Sequence, residues 1–457
     1  MRRLSIFILA ALAPVFAMAQ PTNSAGPLTL RECIDYSLEN NAALRKDRLG
    51  IESAIQSRRE ILGSLLPQIS ASGSMTYNIQ KTAIAMPNFV NSMMPEAMRD
   101  PNAAKYMTVT MGMDLSANWG VALSQQILNI SLFEATQIAK QAEEMARMGV
   151  DADMNDVLAK TATLFTNAQI LQYSLGLFDE SLGVMTRLSD VMEANREIGL
   201  VKNVDADRIA VTKMNLETEK NSLIQAFEVQ MSLLKLELGF PMNEPLAIEP
   251  LDIDALEKML LNDPVREFVL DDQIPVKMLK QQQNMLELQK KAAIGETLPV
   301  INLVANYSQN YMGDHFYGET YHHFPVSMVS LNVKVPLFTG MSKNAKIKKA
   351  GIELQKARED ENMLMQSLTM GYNNARMQLD QSRSSLESQK RNQKLAQDVM
   401  NVTESNYNEG IATLTDLLNA SSSLIQARMN YISTLNTCVK SLLDLKKADG
   451  TINEIIR

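Results

Sequence analysis

Cysteine is nearly missing from this chain: Cys33 and Cys438 are the only two. Two thiols in an exported protein could pair, but they make no disulfide scaffold, and these two stand near opposite ends of the chain within helical patterns. Tryptophan occurs once and aromatic residues make up 5% of the chain, little for a length that would ordinarily fill two or three globular domains. Beyond the N-terminal segment no run of 18 apolar residues occurs, so no membrane-spanning helix is expected. A β-barrel remains open, because its alternating strands escape a hydropathy window. There is no GxSxG, HExxH, CxxC or glycine-rich phosphate loop, so no enzyme is expected, and no means of hydrolysing ATP. No Lys- or Arg-rich block stands out and acidic residues are in excess, which makes nucleic acid an unexpected partner.

What is present begins with MRRLSIFILAALAPVFAMAQ. Arg2 and Arg3, an apolar stretch from Leu4 to Phe16 and the A-x-A site Ala17-Met18-Ala19 predict a secretory signal over residues 1–19. The apolar stretch is shorter than the roughly 20 residues that span hydrocarbon. Loss of two arginines shifts the formal charge from −8 to about −10. No cysteine follows the cleavage region, which argues against a lipid anchor there. Methionine is abundant, with 30 copies, and reads as flexible packing rather than cofactor chemistry.

The chain is written twice. LLPQISAS at 65–72 matches TLPVINLV at 297–304, LSQQIL at 123–128 stands where VKVPLF stands at 333–338, and REIGLVKNVDADRIAV at 196–211 parallels YNEGIATLTDLLNASS at 407–422. Asp205 therefore falls opposite Asp416. A linker at 241–262, rich in proline, separates a first repeat (20–240) from a second (263–447), and 448–457 form a tail. Four segments alternate polar and apolar residues with period two: 68–79, 107–120, 300–309 and 324–335. A phase slip near Met328-Val329 suggests a bulge. These strands are long for a soluble sheet, and long enough to cross a bilayer at barrel tilt. Apart from Asp114 and Lys334 their polar face is uncharged. Four strands cannot close a barrel, and open edges in lipid are prohibitive, so spanning strands require several chains to share one barrel. A soluble sheet with one wet face is the alternative.

Proline-free segments of about 67 and 68 residues, 132–198 and 342–409, predict helices roughly 100 Å long. Shorter helices are expected at 31–63, 204–238, 272–295 and 414–447. Their apolar positions are diluted by Ala, Ser, Asn and Gln, which suits helices packed around a wet lumen better than a closed core.

LTLRECIDYSLENN at 28–41, the two strand entries, VPLFTGMSKNAKIKKA at 335–350 and the NEGIATLTDLLNASSSLIQAR segment together resemble the TolC-like outer-membrane efflux protein family, across nearly the whole chain. The resemblance implies a mixed α/β membrane protein: a homotrimer in which a long α-helical coiled-coil barrel is continuous with a shared 12-stranded β-barrel, four strands per chain. It implies a duct in the outer membrane with its tunnel in the periplasm, its N-terminal, middle and C-terminal segments forming a belt. Its partners would be outer-membrane lipid, a periplasmic adaptor and an inner-membrane transporter, and no cofactor is implied. Residues 80–106 and 310–323 would face outside.

Gly199 and Gly410 would form periplasmic turns at the tunnel tip, with Asp205 and Asp416 available to cap the returning helices. By the resemblance Asp416 would contribute to a charged ring at the channel constriction, whose second position is Asn419 here. Tyr407 and Asp205 match gating residues. The arginine that would bond the aspartate falls at Ala412, and Lys202 is a candidate substitute. Trp119, Tyr77 and Tyr307 are candidates for the membrane interface. His315, His322 and His323, with Asp314, read as a polar loop tip rather than a metal site, because no ligand spacing is recognisable. The expected function is the exit duct of a tripartite small-molecule efflux system. The duct of a type I polypeptide secretion system is the alternative within the fold, and a poreless periplasmic coiled-coil scaffold the alternative outside it.

Overall fold

A computed structural model describes residues 26–264, 266, 268–315 and 322–456. The signal segment and the centre of the 310–323 loop lie outside the described residues.

The first half begins with α1 (Leu30–Asn40) and α2 (Ala42–Gly63), which the sequence reads as one helix. Asn41 breaks them. Its ψ of 126° leaves the helical region, and its Oδ1 accepts from the N–H groups of Ala43 and Leu44 at 2.9 and 3.2 Å. Its amide donates to the Glu237 carbonyl at 2.7 Å. A buried side chain that satisfies the start of one helix and ties it to a distant one fixes the bend.

Strand β1 (Gln68–Tyr77) follows, then the hairpin β2 (Thr82–Pro87) and β3 (Tyr106–Met111) with the short helix α3 (Phe89–Met93) at its turn, then β4 (Leu115–Leu128). The expectation of one strand over 107–120 is corrected here. β3 pairs only with β2 as a separate ribbon, the chain turns at Gly112–Asp114, and β4 pairs with β1. The apolar parity of Met107 through Trp119 runs unchanged across the turn, so periodicity alone does not reveal it.

Helices α4 (Ile130–Glu197, 68 residues) and α5 (Asn203–Leu238) complete this half. A connecting segment carries α6 (Ile253–Asn262). The second half repeats the order with α7 (Ile274–Gly295), β5 (Val300–Gly313), β6 (His322–Lys334), α8 (Ser342–Asn408, 67 residues) and α9 (Leu414–Ala448).

The four long strands form one antiparallel sheet in the order β1-β4-β5-β6. Its register puts Ile69, Met75, Trp119, Val121, Leu303, Tyr307 and Leu331 on one face, and Ser70, Ser74, Asn118, Ser124, Asn306 and Asn332 on the other. The one register shift lies between Gln126 and Leu128 in β4. The bulge expected at Met328-Val329 is absent. Pairing with β5 runs straight through, from Met328 opposite Asn306 to Val329 opposite Ala305. An unbroken ladder holds the register, so Phe324, Val326 and Met328 sit on the face that carries Asn306 and Asn332. At the outer end Lys81 ties the two strand connections together, bonding Asp114 at 3.1 Å and Asp314 at 3.2 Å.

The main core lies midway along the long helices. Ile34, Leu158, Leu260, Leu379, Leu386, Leu435 and Leu442 meet there from α1, α4, α6, α8 and α9. The connecting segment is strapped across α8 and α9. Arg383 donates to the carbonyls of Leu260 (2.6 Å) and Asp263 (2.8 Å), and Tyr372 donates to the Arg266 carbonyl at 2.9 Å. Buried Glu257 pairs with Lys390 and accepts from the Tyr431 hydroxyl at 2.6 Å. Burial first, then that carboxylate, pushes the Tyr431 phenol well above its ordinary value. Both cysteines are free and buried in different clusters, Cys33 beside Phe165 and Cys438 beside Leu435. Burial pushes the Cys33 thiol up to about 12, so it is inert at neutral pH.

Candidate functional site

Two helical turns close the end of the molecule opposite the sheet, and they are built alike. At the end of α4 the Gly199 N–H donates to the Arg196 carbonyl at 3.0 Å and the Leu200 N–H to Asn195 at 2.9 Å. At the end of α8 the Gly410 N–H donates to Tyr407 at 3.0 Å and the Ile411 N–H to Asn406 at 2.8 Å. These are the paired bonds of a Schellman ending, which needs a left-handed residue. The φ values of Gly199 and Gly410, 76° and 77°, supply it. The next residue in each turn, Leu200 or Ile411, is thrown outward and is 73% or 71% exposed.

The returning helices start differently. Thr413 caps α9 with a full capping box: its hydroxyl accepts from the Asp416 N–H at 3.2 Å, and Asp416 Oδ2 accepts from the Thr413 N–H at 3.0 Å. These bonds, the Thr413 hydroxyl first, hold the Asp416 carboxyl below the usual carboxylate range. In the first copy Lys202 stands where Thr413 stands and provides no side-chain cap. Asp205 consequently caps nothing and faces Arg208 at 3.7 Å. Within the chain the ion-pair partner of Asp205 is thus Arg208 rather than Lys202, the candidate substitute for the arginine missing at Ala412.

The structure brings Tyr407 close enough to Asp205 for the carboxylate to raise the phenol's pKa, after burial, the larger cause. The Tyr407 hydroxyl itself donates to Met192 Sδ at 3.4 Å. Asp416 and Asn419 lie one turn apart on α9, both exposed. Below them Met192, Ile209, Leu216, Leu417, Leu424 and Met400 pack the four helices together.

Sequence reasoning missed Arg428. Its guanidinium bonds Ser181 Oγ (3.2 Å), the Leu177 carbonyl (3.3 Å) and Glu180 (3.2 Å) on α4, and Gln397 Oε1 (2.9 Å) on α8. One side chain on α9 thus fastens three helices above the tip. The signal was available: between Asp416 and Lys440, Arg428 is the sole charged residue.

At the other end Tyr77, Trp119 and Tyr307 share the sheet's apolar face and are exposed. They occupy different rows: Tyr77 is level with Leu115, Trp119 with Gly73, and Tyr307 with Val121. Trp119 Nε1 donates to the Tyr311 hydroxyl at 3.4 Å. His323 stacks on Tyr311 with ring centroids 6.1 Å apart, and Asp314 is engaged by Lys81. No cluster of His, Cys, Asp or Glu able to hold a metal occurs among the described residues.

Long paired helices, a sheet with two open edges, and glycine-turned tips at the far end make up the protomer. Residues 276–451 match the family model described as outer membrane efflux protein. That match covers most of the second repeat of the chain. The chain is similar to the outer membrane protein TolC of Escherichia coli, with 20% identity over 443 residues, 91% of this chain and 80% of that protein. Among solved structures it is similar in fold to the open state of the MtrE outer membrane channel of Neisseria gonorrhoeae, with a TM-score of 0.71 and 18% identity over 92% of this chain and 88% of that one. It is also similar to the outer membrane protein VceC of Vibrio cholerae, with a TM-score of 0.67 and 14% identity over 92% and 96%. The chain therefore has the fold of these outer membrane channels over nearly its whole length.

Proposed function

We propose that three copies of this chain form the exit duct of a tripartite efflux system, passing small molecules outward from a periplasmic adaptor and an inner-membrane pump. The observation that carries this reading is the sheet. It has one apolar and one polar face, and its two edges, β1 and β6, are unpaired among the described residues. An open edge is intolerable in lipid, and three copies joined β1 to β6 give twelve strands and remove every edge. The apolar faces then meet lipid and the Ser and Asn faces line water. The helices continue the wall inward, and the connecting segment with α6 wraps the outside. Asp416 and Asn419, brought together threefold, form the narrowest polar ring at the tip.

The matched family's description as outer membrane efflux protein supports an export duct of either kind. The test is mild crosslinking in the native envelope, then purification and mass spectrometry of the partners. Recovery of an adaptor with a proton-driven transporter is the expected result. Recovery with an ATP-hydrolysing exporter instead would assign the duct to polypeptide secretion. A purified protein that is not trimeric and conducts no ions in planar bilayers would sink both.

A further inference from the structure

Between the connecting segment and the tip, α5 and α9 flank a groove of about 630 Å³ over Phe178 of α4. Drug-sized ligands occupy cavities of roughly 300–1,000 Å³. Phe178 and Leu216, 5% and 4% exposed, close its floor. Leu223, Ile425 and Met429 form apolar walls, and the rim is neutral and polar, with Thr212, Ser222 and Ser422. Glu219 is the single charge in the lining.

Helix periodicity fixes which way the groove faces. On α4, Gln169 donates to the Glu249 carbonyl of the connecting segment at 3.0 Å. Phe178 follows nine residues later, about 180° round the helix. On α9, the Tyr431 hydroxyl donates to Glu257 of the same segment at 2.6 Å. Met429, two residues earlier, points about 160° away from it. The connecting segment wraps the outside of the tunnel, so the groove opens on the opposite side, into the lumen.

The join between copies leaves this face free. Joining β1 to β6 brings the α2 and α5 stack of one copy beside α8 of the next, which therefore meets α5 on the side away from α4. Ile209 marks the side of α5 packed against α4. Glu219 stands ten residues after it, about 80° from that side and about 100° from the opposite one. Its carboxylate points between the two, toward the axis. Glu219 is exposed and forms no ion pair or hydrogen bond among the described residues. The cations beside it are committed elsewhere: Lys220 pairs with Asp179 at 2.5 Å, and Arg428 with Glu180 at 3.2 Å.

We infer that each copy holds, in the lumen wall, a binding site for an amphipathic organic cation, its apolar body over Phe178 and Met429 and its positive centre at Glu219. The inference rests on the duct reading and adds to it a wall that engages its cargo. An apolar floor with one unpaired carboxylate at its rim suits a ligand that brings both hydrocarbon and positive charge. Covering the floor removes apolar surface from water, and the carboxylate draws the cation. The flexible thioether of Met429 lets bodies of different outline settle. Ser422 and Met429 stand about 13 and 24 Å beyond Thr413 along α9, so cargo admitted past Asp416 meets this site on its way outward.

The experiment is fluorescence polarisation of rhodamine 6G, an amphipathic cation, titrated with the purified full-length protein in lipid nanodiscs, with empty nanodiscs as the blank. Fluorescein supplies the same ring system as an anion, and tetramethylammonium a cation without an apolar body. Rhodamine 6G is expected to bind in preference to fluorescein, and tetramethylammonium to leave it in place. Glu219→Gln should weaken the cationic dye about fivefold, the upper range for one exposed charge pair, and Glu219→Lys should turn the preference to fluorescein. Glu217→Gln removes the same charge from the far side of α5 and should change nothing. Ser422→Trp, at an exposed position on the wall, fills the groove and should abolish binding, which keeps the test open where a charge change disturbs assembly. Equal binding of the two dyes, or undiminished binding by the Glu219 and Ser422 variants, would overturn the inference. A trimeric, conducting protein that holds no rhodamine 6G would sink this inference alone, whereas a protein that neither trimerises nor conducts would sink the duct reading.

Discussion

Two glycines with the same backbone geometry carry different loads. Gly199 and Gly239 have φ of 76° and 71°, but a Cβ at Gly199 would meet nothing within 4 Å, whereas at Gly239 it would lie 2.4 Å from the Asn40 carbonyl oxygen. Gly199→Ala should cost only the left-handed penalty, about 1 kcal/mol. Gly239→Ala must also push α1 off α5, so a cost of roughly 3 kcal/mol or more is expected. Comparing the temperatures at which the two variants lose helical circular dichroism checks this; equal losses would contradict it. The Thr413–Asp416 capping box makes a second, pH-dependent prediction. Folding lowers the Asp416 pKa, so its stabilisation is present above the unfolded carboxylate range and is lost as pH falls through the folded value. Thr413→Val should lower the unfolding temperature at pH 7 and have progressively less effect as pH falls below the ordinary aspartate value of 3.8. An equal effect at pH 7 and pH 2 would count against the box.

At the scale of elements, the tip depends on how α9 is fastened to α4 and α8. The aspartate–arginine contact implied by the family resemblance is absent at Ala412, and Tyr407 reaches only a thioether, a weak acceptor. Arg428 ties all three helices with charge-assisted bonds worth about 1.5–3 kcal/mol each when desolvated. Its side chain is 13% exposed. Arg428→Gln should loosen the tip and raise single-channel conductance in planar bilayers, with Arg428→Lys intermediate. An unchanged conductance in both would remove Arg428 from the gate. Helix lengths and turn positions were legible in the sequence because an uninterrupted absence of proline and a single glycine are local signals. The ties were not, because they join residues about 250 positions apart.

For the whole molecule, the sheet assigns neighbouring residues to opposite faces. Ala305 lies on the apolar face and Asn306 on the polar one, both well inside β5. Ala305→Lys would place a charge in lipid, costing about 2–4 kcal/mol near the midplane, and should deplete assembled protein in the outer membrane. Asn306→Lys should assemble normally and reduce cation conductance. The reverse pattern, measured by heat-stable oligomer on gels and by bilayer conductance, would mean that the faces are exchanged.

The sequence by itself determined the duplication, the long helices, the strand faces and the two glycine turns. Each of these is written in periodicity or in a residue type that only one backbone conformation favours. It could not show that 107–120 is two strands, since side-chain parity is unchanged across the turn at Gly112–Asp114, nor that β6 keeps its register through Met328-Val329, which the ladder with β5 decides. It could not choose a partner for Asp205 or show α5 and α9 sharing one groove over Phe178. Those outcomes depend on which side chains reach one another once the helices are packed, and in this chain the residues concerned lie either within a single turn or on helices far apart in sequence.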